Sequence, residues 1–163
     1  MLTPDGAGSL ASDRRRALRR SAKSSETGIA DALQNASIFS LCSKRELKLV
    51  AKVANTRTVP ADVTLLVEGD TGDSFIVLLS GKAEVRKGNR KIAELGSGDV
   101  VGELALLAKA PRNATVVTRS ESEIAIIGRR DLFRLIDDAP GFSRKLLEAL
   151  ANRVRELDRR APS

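Results

Sequence analysis

The part of the sequence that most restricts the fold is residues 56–128, where apolar and polar residues alternate with a period of two. A period of two is that of a β-strand with one buried face. Turn signals separate the short strands, among them Ser80-Gly81 and the hairpin pair Gly88-Asn89. About eight short strands with a single helical interruption predict an antiparallel β jelly roll. Because helical patterns lie on both sides of these strands, the predicted fold class is α+β.

The single interruption is residues 101–116, which we call the cassette. Gly102 near its start has no Cβ and lets a ligand approach the backbone. The residues that follow are good helix formers and predict a short helix. The unpaired N–H groups at the start of a helix, together with the helix dipole, form an anion site. Arg112 lies beyond this helix, and its planar guanidinium suits phosphate oxygens.

Glu103 is the unexpected residue in this anion site, because a carboxylate repels phosphate. Its presence is explained if it accepts a hydrogen bond from a hydroxyl group beside the phosphate, such as a ribose 2′-OH. A phosphate and a sugar hydroxyl bound together imply a ribonucleotide ligand.

The cassette resembles the phosphate-binding cassette of cyclic nucleotide-binding domains. It reads Gly-Glu-Leu-Ala-Leu-Leu from Gly102 and, after a short spacer, Pro-Arg-Asn-Ala-Thr-Val from Pro111. The resemblance implies that the backbone N–H groups of Leu104 and Ala105, near Gly102, bind a 3′,5′-cyclic phosphate. It implies further that Arg112 pairs with the phosphate charge and that Glu103 accepts from the ribose. It also implies that the next three residues line the rim of the site between phosphate and base: Asn113, Ala114 and Thr115.

Helices are predicted on both sides of the barrel. Residues 27–55 are predicted to form a helical bundle, in which Ser43 and Glu46 have the spacing of a capping box. Residues 129–160 are predicted to form C-terminal helices, the last of which starts near Pro140. In the resembled family the last helix folds over the nucleotide as a lid. Arg153 lies where some members place an arginine against the purine, and a solvent-facing charge is the alternative interpretation.

The first 26 residues carry a basic cluster and few large apolar residues, which predicts a mostly disordered arm. An arm of this kind is either a solvated tail, which is the favoured interpretation, or a contact for an acidic partner, lipid headgroups or nucleic acid. The cluster comprises Arg14, Arg15, Arg16, Arg19, Arg20 and Lys23.

Composition favours a receptor over an enzyme. The chain has no His and one Cys, so the commonest general base, a cysteine zinc site and a disulfide framework are excluded. We therefore expect no catalytic residues, no metal and no cofactor, only a nucleotide ligand. No apolar run approaches the roughly 20 residues that span a bilayer, so we expect a cytoplasmic chain without a membrane span.

The predicted function is that of a receptor that regulates a protein effector when its C-terminal helix closes. Cyclic AMP is the favoured ligand, because the cassette resembles those of bacterial members, for which it is the commoner ligand. Cyclic GMP stays the alternative, because Asn113 matches neither preference known in the resembled family for the position after the arginine.

Three alternatives stay open. The first is a DNA-binding regulator of the cAMP receptor type that uses the basic arm, although no sequence-specific binding is expected because the chain ends at Ser163. The second is a regulatory fragment of a larger channel or enzyme. The third is a ligand-free scaffold, against which Glu103 and Arg112 argue. The apolar stripe of the last helix suits a homodimer and packing on its own barrel equally well.

Overall fold

The computed structural model describes residues 26–103 and 110–160. The predicted basic arm lies outside the described residues apart from Glu26. Leu104 and Ala105, with the rest of the predicted cassette helix up to residue 109, lie outside them as well.

Within the described residues, eight strands form two antiparallel four-stranded sheets, which confirms the predicted α+β jelly roll. Sheet 1 has the order β1-β8-β3-β6 and sheet 2 the order β2-β7-β4-β5. The strands are β1 (Asn55–Val59), β2 (Thr64–Leu66), β3 (Ser74–Ser80), β4 (Ala83–Lys87), β5 (Arg90–Leu95), β6 (Val100–Val101), β7 (Thr115–Thr118) and β8 (Ser122–Gly128).

Strand β3 shows how the core is divided. Its side chains alternate between two apolar layers, and both are buried because helices cover one face of sheet 1 and sheet 2 covers the other. Phe75 and Val77 contact the helical layer, whereas Ile76 and Leu78 lie between the two sheets. Full burial on both faces explains why this strand reads as a continuous apolar run rather than as an alternation.

The helices pack on the outer face of sheet 1. They are α1, whose described part is residues 26–33, a 3-10 helix at Ser37–Phe39, α2 (Lys44–Lys52), α3 (Arg129–Asp138) and α4 (Pro140–Arg160). The predicted capping box of α2 is present: Glu46 N donates to Ser43 Oγ at 3.2 Å, and Ser43 N donates to Glu46 Oε1 at 2.9 Å. Among the helices described, none is both long and apolar enough to cross a membrane.

Aromatic contacts join the start of α4 to this helical layer. The ring of Phe39 lies 5.6 Å from that of Phe75 in β3 and 6.4 Å from that of Phe142 in α4. These three rings fix the start of α4 beside the 3-10 helix.

An ion-pair network on the outside of sheet 2 centres on Glu84. Arg119 bridges Glu84 Oε2, at 2.8 Å, and Asp62 Oδ1, at 2.7 Å. Arg86 Nε reaches the same Glu84 oxygen at 3.0 Å. The hydrogen bond from Arg119 is the main cause that lowers the pKa of Glu84 to about 2, and that from Arg86 adds to it.

This network predicts a measurable acid sensitivity. Because the pKa of Glu84 in the folded state lies below its ordinary value of 4.5, its stabilising contribution is present above about pH 4.5 and is lost as the pH falls toward 2. We expect the thermal midpoint of Glu84→Gln to fall less between pH 4.5 and 2 than that of the parent protein. Circular dichroism melts at several pH values measure this difference. Glu148→Gln, on the exposed side of α4, is the control and should keep the parental slope; equal slopes for all three proteins would contradict the assignment.

Candidate ligand-binding site

A cavity of about 480 Å³ lies between sheet 2, the ends of the cassette and one side of α4. Its apolar wall comes from strands of both sheets, and its polar groups come from the cassette and α4. The lining residues are Leu66, Val85, Val100, Val101, Gly102, Glu103, Ala110, Pro111, Arg112, Asn113, Ala114, Val116 and Arg153. The structure therefore brings together six of the nine predicted site residues.

Arg112 is the buried cation of this cavity, with 8% of its surface exposed. Its Nη2 donates to the carbonyl oxygen of Ser74 at 2.5 Å. Its Nη1 is buried and has no hydrogen-bond partner in the described part of the chain. A buried N–H group without a partner is costly, so this side of the guanidinium is prepared to receive an acceptor.

A loop holds the backbone of Arg112 in place. We call residues 68–73, between β2 and β3, the clamp loop. Gly69 N donates to the carbonyl oxygen of Arg112 at 2.8 Å, and Arg112 N donates to that of Asp70 at 2.8 Å. An isolated bridge between Thr71 and Pro111 continues this pairing. The position of Arg112 is thus set by β-type hydrogen bonds to a separate segment rather than by the cassette alone.

Two glycines make room for the guanidinium. A Cβ at Gly72, in the clamp loop, would lie 2.3 Å from Arg112 Nη2, and one at Gly102 would lie 2.5 Å from Arg112 Nη1. Gly102 also has a φ of +83°, which L side chains rarely adopt. The sequence signal for Gly102 was its position at the start of the cassette. Gly72 and the Ser74 carbonyl were missed, because nothing in a turn-rich loop shows which backbone atoms face an arginine 40 residues away.

The electrostatics of this pocket favour an anion. Burial lowers the pKa of the Arg112 guanidinium from its ordinary value, and the charge of Asp73 partly opposes this effect. No carboxylate in the described ranges lies within ion-pair distance of Arg112. An anion bound beside Nη1 would supply both the missing charge and the missing acceptor.

The other predicted residues differ in their surroundings. Glu103 is half-buried at the cavity wall, and its carboxylate makes no hydrogen bond within the described ranges. Asn113 is exposed at the rim beside Ala114. Thr115 does not line the cavity; its Oγ1 accepts from Glu68 N at 2.9 Å and ties β7 to the clamp loop. Leu104 and Ala105 lie outside the described residues, so their predicted phosphate contacts stay predictions.

Arg153 reaches the cavity from α4. Its side chain is half-buried and its Nη1 donates to Ser37 Oγ in the 3-10 helix. The same residue therefore lines the cavity and holds α4 to the helical layer.

A second cavity, of about 390 Å³, lies beside α1. It carries the carboxylates of Asp31 and Glu123, and no lysine or arginine is among its lining residues. It does not suit an anion. Elsewhere in the described ranges, no three acidic or cysteine side chains converge to hold a metal ion.

Comparison with known families decides the assignment. The family model of the cyclic nucleotide-binding domain matches residues 56–139, which include the whole barrel from β2 and the cassette. The chain belongs to the cyclic nucleotide-binding domain family. The cavity described above is therefore the nucleotide-site candidate of this domain.

Individual relatives agree with the family match. A cAMP-dependent protein kinase regulatory subunit from Pyricularia oryzae is 32% identical over 147 residues, which are 88% of this chain and 38% of the relative. A cGMP-dependent protein kinase from Toxoplasma gondii is 32% identical over 128 residues, 77% of this chain and 13% of that kinase. The chain thus spans well under half the length of these curated relatives.

Among solved structures, the domain is similar to the N-terminal domain of a transcriptional regulator from Streptomyces coelicolor. That likeness has a TM-score of 0.75 at 25% identity and covers 82% of this chain and 99% of the other.

Proposed function

We propose that this domain is a receptor for a cyclic nucleotide, bound with its phosphate against Arg112. One observation carries the proposal: a guanidinium that is 8% exposed holds one N–H group on the Ser74 carbonyl, and its Nη1, buried beside Gly102, has no partner among the residues that the structure describes. The cyclic phosphate carries one negative charge and supplies acceptors for this group. A hydrogen bond between charged partners of this kind contributes about 1.5–3 kcal/mol.

Glu103 and the cassette complete the proposed binding mode. The Glu103 carboxylate accepts from the ribose 2′-OH, which explains why an acid lies beside an anion site. The backbone N–H groups of Leu104 and Ala105 donate to the phosphate, as a helix N-terminus does. Asn113 and Ala114 contact the ligand between phosphate and base. Thr115 has an indirect role: its hydroxyl accepts from Glu68 N and so holds the clamp loop against β7.

Cyclic AMP is the proposed ligand and cyclic GMP the alternative. Curated relatives from both classes of kinase resemble the chain, and the one with greater coverage is named for cAMP. Asn113 lies exposed at the rim of the cavity.

The proposed signal is a change in α4, followed by regulation of a protein effector. Arg153 lines the cavity from this helix, so a ligand that contacts Arg153 favours one position of α4 over another. We propose binding without catalysis. A cytoplasmic location fits the single Cys42, which is buried and unpaired.

Calorimetric titration of the parent protein with cAMP, cGMP and 5′-AMP tests the proposal. We expect saturable binding of a cyclic nucleotide and binding of 5′-AMP at least about tenfold weaker, because its dianionic, unconstrained phosphate does not fit a site built for a single charge. Failure of both cyclic nucleotides to bind more tightly than about 100 μM would refute the proposal. Tighter binding of cGMP than of cAMP would reverse the ligand choice while leaving the site in place.

A further inference from the structure

Helix α2 presents basic residues to solvent along one side, which we call the α2 basic face. At 3.6 residues per turn its members fall within an arc of about 100°, and three of them repeat at steps of four residues. All of them are exposed, whereas Leu47, Val50 and Ala51 on the other side of the helix are buried. The members of the face are Lys44, Arg45, Lys48 and Lys52.

No acidic residue in the described part of the chain neutralises the α2 basic face. Within residues 26–103 and 110–160, none of its members makes an ion pair. Glu46 is the one acidic residue of α2 and is occupied elsewhere, because its Oε1 accepts from Ser43 N and pairs with Lys145 Nζ of α4. The face therefore carries its positive charges without a counter-charge from the described residues.

The placement of these cations opposes the stability of the helix. Lys44 and Arg45 occupy its first two positions, where the helix dipole favours acidic residues. Lys48 lies four residues from Lys44 and four from Lys52, and like charges at this spacing repel one another. Residues that conflict with local stability are expected where a function requires them. An anionic partner on the α2 basic face would offset both effects.

Two leucines beside the cations indicate which anionic partner fits. Leu49 follows Arg45 by one turn and Leu41 precedes the helix, and each is 41% exposed. Aliphatic side chains gain nothing from the phosphates of a nucleic acid, but they enter the boundary between the headgroups and acyl chains of a membrane. Lysine is depleted in protein–protein interfaces, whereas each lysine near an anionic membrane contributes to binding. The combination favours anionic lipid over nucleic acid or an acidic protein.

We propose that the α2 basic face binds the surface of a membrane that contains anionic lipids. Its cations lie among the headgroups, and Leu49 lies at their boundary with the acyl chains. The contact is peripheral, because the face is only about 12 Å long. None of its members lines the cavity, so the proposal goes beyond nucleotide binding and does not depend on it.

Co-sedimentation of the full chain with lipid vesicles tests the proposal. Phosphatidylcholine vesicles that contain about 30% phosphatidylserine should bind the parent protein, and vesicles of phosphatidylcholine alone should not. Salt at about 0.5 M should release the bound protein, because it screens exposed charges. Equal binding to both kinds of vesicle, or binding to neither, would overturn the proposal.

A triple variant places the contact on α2. Lys44→Gln, Lys48→Gln and Lys52→Gln in one chain should weaken binding to phosphatidylserine vesicles roughly 100-fold, since each cation near an anionic surface contributes about fivefold. The same three positions changed to arginine should keep the parental binding, because the charge is retained. Parental binding by the glutamine variant, or a loss of binding in the arginine variant, would contradict the assignment.

The matched control removes the same charge from sheet 2, which covers the opposite face of sheet 1 from the helices. Lys82→Gln, Lys87→Gln and Arg90→Gln change exposed residues that make no ion pair in the described ranges. This variant should bind vesicles within about threefold of the parent protein. An equal loss in both triple variants would mean that net charge, and not α2, determines the binding.

Leu49→Gln separates a membrane from a nucleic acid. It should weaken vesicle binding roughly three- to tenfold, because it removes an aliphatic group from the acyl boundary. Ile92→Gln, which replaces a 55% exposed residue on sheet 2, should leave vesicle binding unchanged. A DNA duplex at equal phosphate concentration should not displace the parent protein from the vesicles. Displacement by DNA, or vesicle binding that is insensitive to Leu49→Gln, would show that the face binds polyanions in general.

Thermal unfolding separates binding from a role in the fold. The α2 glutamine variant should unfold at the parental temperature or above it, because it removes a first-turn cation and the repulsion between lysines. Circular dichroism melts measure this difference. A lower midpoint would show that the cations stabilise the helix, which contradicts the reasoning behind the proposal.

Discussion

Arg112→Met is expected to lower the affinity for cyclic nucleotide roughly 10- to 100-fold, since it removes charge-assisted hydrogen bonds that contribute about 1.5–3 kcal/mol. Methionine keeps most of the aliphatic volume that the side chain occupies between Gly72 and Gly102. The loss of affinity therefore measures the contribution of the Arg112 guanidinium rather than the effect of an empty space left by a smaller side chain. Calorimetric titration of both proteins with the better of the two cyclic nucleotides measures it.

The same substitution should leave the unliganded fold largely intact. It removes the Ser74 hydrogen bond, which destabilises the fold. It also removes a buried cation that has one N–H group without a partner in residues 26–103 and 110–160, which stabilises the fold. We expect these effects to offset one another to within about 1 kcal/mol of the free energy of unfolding. Nucleotide at 100 times its dissociation constant should stabilise the parent by about 2.7 kcal/mol, and much less stabilisation is expected in the variant at that concentration.

Arg57→Met is the control for charge. Arg57 is exposed on β1 and does not line the cavity, so its removal should leave affinity unchanged. Undiminished binding by Arg112→Met, or an equal loss in both variants, would show that the phosphate does not lie against Arg112.

Gly72→Ala should weaken nucleotide binding at least about tenfold without touching the ligand. The new Cβ would lie 2.3 Å from Arg112 Nη2, 2.6 Å from Nε and 2.7 Å from Cζ. No real contact is that short, so the guanidinium has to leave its position. Because the obstructing atoms are the end of a flexible side chain, the fold tolerates the change, and we expect the free energy of unfolding to shift by no more than about 1 kcal/mol.

Gly96→Ala provides the matched control, since its Cβ would have no atom within 4 Å and its φ is not positive. It should bind like the parent. The double variant tests whether the two positions are coupled. In the Arg112→Met background, Gly72→Ala should weaken nucleotide binding by less than about twofold, because the guanidinium that it displaces is already absent. Additive losses in the double variant would mean that Gly72 acts on the cavity by some route other than Arg112.

The sequence was sufficient for features that depend on neighbouring residues. Alternation and turn signals predicted the jelly roll, and the spacing of Ser43 and Glu46 predicted the cap of α2. The first turn of α4 could be placed because Pro140 has a fixed φ and no N–H to lose. Each of these depends on local backbone preference, which a single sequence carries directly.

Features that depend on distant segments were not predictable. Strand β6 has two residues, Val100 and Val101, and exists because it pairs with β3. Gly72 and the Ser74 carbonyl belong to the site only because the clamp loop pairs with the backbone around Arg112. The interpretation of α4 was also limited, since Leu146 and Leu147 are equally apolar and only the packing of the 3-10 helix shows that one is buried and the other exposed.

Arg153 has a consequence for the thermodynamics of the whole molecule. Its guanidinium borders the cavity and donates to Ser37 Oγ in the 3-10 helix. One group shared by these two contacts makes the occupancy of the proposed nucleotide site and the attachment of α4 to the helical layer linked equilibria. By reciprocity, the factor by which nucleotide changes the equilibrium constant for attachment of α4 must equal the factor by which that attachment changes the affinity for nucleotide. A substitution that loosens α4 far from the cavity should therefore change the measured affinity.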